Sequence, residues 1–347
     1  MIKLFLVRYF IAAVLFFLCI SATIFLTQNY SKLKIHPDQN YPRWLMNDDY
    51  HPSQTSGITF LRQLDDGTKE FFLADDIGDI NRLFIKDDTI FTFRKIEFGS
   101  DAIDYLKDFP KRDFEEIIYD KFTGRVYITI EGNGKKHKLF HGIYRLHFKE
   151  DDVYQDSVSS IEKINFKPEE QFYSELNLNT GYEGLAVDEN YFYIGLEAVL
   201  TPEKAFSGHT LIRIADKKSL QIVKEISTDT LGIATIGGLC SDTNFSLFGV
   251  DRNQRKVFKL KLDEYLNVVE INLFEISAVI PGNHQFGYTA SFESITITPD
   301  QNLYMVDDPW YEQFIPPEKV LNNLDIKTVD NFNNFIPIIY KYIIELK

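Results

Sequence analysis

The chain is predicted to be all-β, a β-propeller of five or six four-stranded blades, and three observations predict it. Five short strands share one design, FFLAD, YITIE, YIGLE, LFGVD and LYMVD, and close on Asp75, Glu131, Glu197, Asp251 and Asp307. About fourteen to nineteen residues before each lies a second shared element: TSGIT (55–59), FEEII (114–118), YEGLA (182–186), IGGLC (236–240) and FESIT (292–296). After each comes a third, with a basic residue between apolar ones: Arg82, Arg145, Arg213, Lys259 and Lys341. The unit recurs about every 54–68 residues, the mark of a repeat architecture.

In chain order, residues 1–27 are read as a membrane anchor or signal segment, 28–50 as a linker and 51–347 as the propeller. Residues 9–26 carry no charge and follow Lys3 and Arg8. Eighteen such residues suffice to cross a bilayer. An uncleaved anchor with the domain exported is favoured, and secretion after cleavage is the alternative. Within the third repeat, 181–188, 191–197, 210–216 and 220–227 read as four strands separated by turn residues, and the fourth repeat copies them. A sixth blade is sought in 145–180, where the spacing is longest. The fifth unit shows three strands, and its fourth is expected from the N-terminal side near Lys32–His36. Insertions at 198–209 and 309–336 interrupt the third and fifth units, the latter with a short helix around Glu318–Leu324. Loops of this kind often cover a binding face.

Composition narrows the function classes. Apolar residues are 44% of the 347, enough for a substantial core, and 30 Phe with 19 Tyr favour strands. A net charge of −14 repels nucleic acid and suits cations or neutral ligands. The two cysteines, Cys19 in the apolar segment and Cys240 in a strand, are not expected to pair, and Cys240 reads as core.

The chemistry lies where strand one starts and strand two ends. These strands are antiparallel neighbours, so Ser56, Glu115, Glu183, Gly237 and Glu293 belong on the same face as Asp75, Glu131, Glu197, Asp251 and Asp307. Strand one is innermost, so Glu115, Glu183 and Glu293 are expected to converge at the channel mouth. Carboxylates so gathered must be protonated, paired with a base such as Arg252, or bound to a cation. Ca²⁺ fits a flexible carboxylate cage, and the seven scattered His give no zinc cluster. Acids that hydrogen-bond loop amides at blade ends are the other reading. For the basic residues of strand three, a salt bridge to a neighbouring blade is expected.

The order of these motifs resembles the secreted bacterial propellers with esterase-like activity of phytase, and more loosely the SdiA-regulated and gluconolactonase-like propellers. The residues are Ser56-Gly57-Ile58 with Asp75-Asp76, Asp113-Phe114-Glu115-Glu116 with Glu131-Gly132, Asn179 to Ala186 (NTGYEGLA) with Glu197, and Asp251-Arg252. Glu116 and Ser294 depart from the pattern, standing where glycine is usual. The resemblance implies phosphate or carboxylic ester substrates; the mechanism expected from the residues has Glu115, Glu183 and Glu293 as ligands or base and Glu131, Glu197, Asp75, Asp251 and Asp307 as further metal ligands. Arg252 would contact an anionic substrate group. The alternative is a non-catalytic propeller holding a glycan, peptide or partner protein, for which Trp310 and Tyr311 would serve.

Overall fold

Each repeat folds as an up-and-down sheet whose inner strands are buried on both faces because neighbouring blades cover them, while the outer strands are half-exposed. A computed structural model describes residues 33–132, 137–178, 180–310 and 313–346. The apolar segment 9–26, Cys19, Lys32, Asn179 and Tyr311 lie outside these. Among the described residues no helix is long and apolar enough to cross a membrane. Residues Ile35–Ile344 make one unit; the other comprises Met1–Lys34 and Glu345–Lys347.

Blade I runs Thr55–Gln63, Lys69–Asp75, Ile80–Lys86 and Ile90–Lys95. Blade II runs Asp113–Asp120, Arg125–Glu131, Gly142–Phe148 and Ser157–Lys163, with Glu97–Phe98 added in parallel outside. Blade III is Tyr182–Val187, Tyr191–Leu196, Leu211–Asp216 and Ile222–Ser227. Blade IV is Gly238–Thr243, Ser246–Asp251, Lys256–Leu262 and Val268–Glu275. Blade V is Ser291–Ile297, Asn302–Asp308 and Ile338–Leu346, with Leu33–Pro37 outermost. The innermost strands neighbour one another around a closed ring of five.

Two expectations need correction. No sixth blade occupies 145–180: Ser157–Lys163 is the fourth strand of blade II, and the extra length is a connection with a short helix, Glu169–Phe172. The stretch read as linker carries sheet residues, since Leu33–Pro37 and Arg43–Trp44 both belong to the fifth sheet. The fourth strand of blade V does come from the N-terminal side.

The core lies between blades. Phe72 and Ile80 pack with Ile128 and Phe148 between I and II, and Tyr127 with Phe192 and Ile194 between II and III. Ile214 meets Leu239 and Phe258 between III and IV, and Phe71 and Leu83 meet Tyr304 and Val306 between I and V. Three of the strand-three cations also join parts of the chain. Arg82 reaches Glu70 and Asp156, the latter on blade II, at 2.6 and 2.8 Å. Lys341 reaches Asp88 on blade I at 2.7 Å, and Arg213 holds Ser174 and Tyr182.

Near the axis the ring is too tight for most side chains. A Cβ on Gly57 would lie 2.8 Å from the Ile117 amide nitrogen, and one on Gly238 would lie 2.6 Å from the Ser294 Cα. The two departures from glycine meet each other: Ser294 Oγ donates to Glu116 Oε1 at 2.7 Å, while Glu116 Oε2 has no hydrogen-bond partner among the described residues.

Candidate functional site

The strand-one acids owe their aim to bulges. In blade I, Thr55 pairs with Asp75 and Gly57 with Ala74, which leaves Ser56 as the extra residue. The same two-against-one step falls at Glu115 and Glu116 in blade II, at Glu183 in blade III and at Glu293 in blade V. A bulge breaks the strict alternation of a strand and re-aims a side chain. Here it sends Glu115, Glu183 and Glu293 into one cavity of about 760 Å³, which Ser56 also lines.

Seven carboxylates line that cavity, from Asp76, Asp113, Glu115, Glu131, Glu183, Glu293 and Asp308, against three cationic side chains, Lys111, Arg252 and Arg255. The acids divide into two groups. Arg252 anchors one: Nη1 lies 2.5 Å from Glu293 and 3.2 Å from Glu183, and Nη2 bonds Glu197. Burial alone would lower the Arg252 pKa, but the Glu183 and Glu293 charges outweigh it and raise it. The other group is Asp113, Glu115 and Glu131, whose ligand atoms all lie within 4.8 Å of one another. Lys111 meets Asp113 at 2.5 Å and Asp76 at 3.3 Å.

Burial sets the protonation of these acids. It pushes Glu131 up to about 8, with the Asp113 charge adding to the effect. Glu115 rises well above the carboxylate range through burial and then the Glu131 and Glu183 charges. Glu183 is raised by burial, opposed in part by Arg252. Asp76 rises to about 6, its burial opposed by Lys111, and Asp308 rises through burial and the Glu293 charge. A confined set of this kind holds extra protons or a cation.

Asp75, Asp251 and Asp307 do not line the cavity. Asp75 accepts the Asp79 N–H at 2.8 Å. Asp251 accepts the Ala234 N–H, the Thr235 hydroxyl and the Gln254 N–H. Asp307 accepts the Ile338 N–H at 2.6 Å and the Tyr288 hydroxyl at 2.5 Å. These are the blade-end amide contacts of the second sequence reading.

Sequence reasoning left Asp76, Asp113, Asp308, Lys111 and Arg255 out of the site. A signal existed for some of them. Blades I and V end strand two in Asp-Asp, and blade IV in Asp-Arg. Adjacent strand residues face opposite ways. The first of each pair holds backbone, and the second lines the cavity. Asp113 was legible as the register partner of Glu131.

No protein-family model matches the chain, and no curated protein matches it. Solved structures with a similar fold include the PQQ-bound aldose sugar dehydrogenase of Streptomyces coelicolor, at 9% identity and a TM-score of 0.45, covering 91% of this chain and 99% of that one. Luciferin-regenerating enzyme is similar at 12% identity and 0.44, covering 90% and 95%. The WD40 repeats of RRP9 are similar at 11% and 0.42, covering 89% and 99%. Enzymes and WD40 repeats thus stand together at this level, and none of them assigns an activity. The comparisons do not show the phytase-like family. The propeller class rests on the sheet order of the chain itself.

Proposed function

We propose that this chain is a cation-assisted hydrolase of phosphate or carboxylic esters, in line with its motif resemblance to phytase-like propellers. The observation that carries the reading is the cluster of Asp113, Glu115 and Glu131 in the same cavity as the Arg252 cradle. The cluster fits a hard divalent cation: all its donors are oxygens, two of the acids are held far from their ordinary pKa, and Glu131 Oε1 has no hydrogen-bond partner. Asp113, Glu115 and Glu131 would hold the ion, with Ca²⁺ the cation such a set suits. A bound cation supplies Lewis-acid polarisation and a more acidic water.

The chain's own groups supply the rest. Glu183 is the general base, a carboxylate made more basic by burial and held in place by Arg252. Because Arg252 is engaged by three glutamates, the exposed Arg255, which forms no ion pair among the described residues, is the better contact for a substrate anion. Purified protein should hydrolyse aryl phosphates or aryl esters with Ca²⁺ and lose that activity in chelator. Glu183→Gln should lower kcat by about 100-fold or more while cation binding survives. Absence of turnover on both ester classes would remove the enzymatic reading.

One observation favours a second reading, a binding propeller for a glycan, peptide or partner protein: Trp310 and Phe206 line the same cavity, each 41% exposed. Under it, Glu183→Gln leaves ligand binding intact. In either case we place the propeller outside the cytoplasmic membrane, tethered through residues 9–26. Fusion of a reporter after the last residue would check that topology.

A further inference from the structure

The histidine just before the third strand of blade II packs edge-on against His137 but leaves its polar atoms unmet. His141 is fully buried, and neither ring nitrogen has a hydrogen-bond partner among the described residues. Its Nε2 faces Glu131 Oε1 at 3.8 Å, and that oxygen is also without a partner. A donor and an acceptor, both buried and both unmet, thus stand across a gap about 0.8 Å too long for a hydrogen bond. Buried polar groups are nearly always satisfied, so a pair of this kind calls for an explanation.

Gly181 keeps the gap open. A Cβ there would lie 2.4 Å from His141 Nε2 and 3.1 Å from Glu131 Oε1. Three separate pieces of chain therefore agree on this point: the end of strand two in blade II, the residue just before its strand three, and the residue before blade III. His141 is not itself one of the clustered donors, which are Asp113, Glu115 and Glu131.

We propose that His141 is a positioning residue for the cation site: its Nε2–H donates to Glu131 Oε1 and fixes that carboxylate when a divalent cation is bound. Carboxylates that hold a metal are ordinarily oriented by such outer hydrogen bonds. The inference rests on the cation reading above and adds a residue to it. In the cation-free protein the carboxyl and the imidazole remain apart, which accounts for the unmet His141 Nε2 and Glu131 Oε1. A packing role alone would be filled better by a phenyl ring, which has no polar atoms to satisfy.

Titration calorimetry of the full chain with CaCl₂, and separately with MnCl₂, tests the proposal, alongside thermal unfolding without cation. His141→Phe should keep or raise cation-free stability and lower cation affinity by about 10–100-fold. His141→Gln, which retains a donor, should lower affinity by less than about 3-fold, a rescue that packing alone does not produce. Gly181→Ala should reproduce the affinity loss. If wild type binds a cation and His141→Phe binds it equally well, or loses affinity only together with cation-free stability, His141 is a packing residue and the inference is overturned. If wild type binds neither cation, the cation reading falls and takes this inference with it.

Discussion

Arg252 shows how one side chain organises the cavity. Its planar fork presents several donors at fixed angles, and it meets Glu183 and Glu293 on two innermost strands and Glu197 just past the end of a third strand. One guanidinium cannot neutralise three carboxylates, and burial raises the Glu183 pKa, so the set depends on Arg252 for whatever negative charge it carries. Removing it leaves that charge buried without a partner. Arg252→Met should lower stability at neutral pH by about 3 kcal/mol, as for a broken buried pair. The loss should shrink as pH falls, since burial raises the Glu183 pKa and a protonated Glu183 no longer needs the guanidinium. Urea unfolding at neutral and at lower pH measures both, and an equal loss at each would show that the cradle matters for packing rather than charge. A lysine offers one ammonium for three partners, so Arg252→Lys should restore only part of the loss.

At the scale of the element, the bulge decides which carboxylates face the cavity, and it was only partly legible. The strand pattern, the repeat and the fourth-strand closure could be read because short apolar runs rich in β-branched residues recur with turn residues at a fixed spacing. Blade III came within two residues at every strand end. Convergence of Glu115, Glu183 and Glu293 followed from their place at the start of strand one. What could not be read was the division of labour between Asp and Glu at the end of strand two. Asp is short, so Asp75, Asp251 and Asp307 hold nearby amides. Glu131 and Glu197 are longer by one methylene and reach the cavity cluster and Arg252. The pairing of Glu116 with Ser294 was also invisible, since it joins residues 178 positions apart. That pairing can be measured. Ser294→Ala removes a partner of Glu116 and of the Ile58 N–H, and should cost about 1–3 kcal/mol. Restoring glycine at both 116 and 294 should cost less than the sum of the single changes. Additive losses would mean that the two positions act independently.

For the whole molecule, the buried acids make stability depend on pH in a stated direction. Asp75 and Asp307 are raised to about 7, Asp76 to about 6 and Glu131 to about 8, all by burial first. The folded chain then binds more protons than the unfolded chain, so stability is greatest below the unfolded carboxylate pKa and falls as pH rises through the folded values. His141 works the other way: burial lowers it to about 3, and its contribution improves only up to its unfolded pKa of about 6.5. Between about pH 6.5 and 8 the acids prevail, opposed near the upper end by Lys163, which burial lowers to about 8. Cation-free melting temperature should therefore decline across that window, and saturating Ca²⁺ should restore it. A flat profile in differential scanning fluorimetry would mean that the acids are already ionised and compensated. The outer position of Leu33–Pro37 has a separate consequence, for biosynthesis. This segment leaves the ribosome about three hundred residues before its partner Ile338–Leu346. Until Ile338–Leu346 has been synthesised, Leu33–Pro37 has no strand to pair with and the fifth blade stays open. Chaperone capture and premature edge-to-edge pairing should concentrate in that interval.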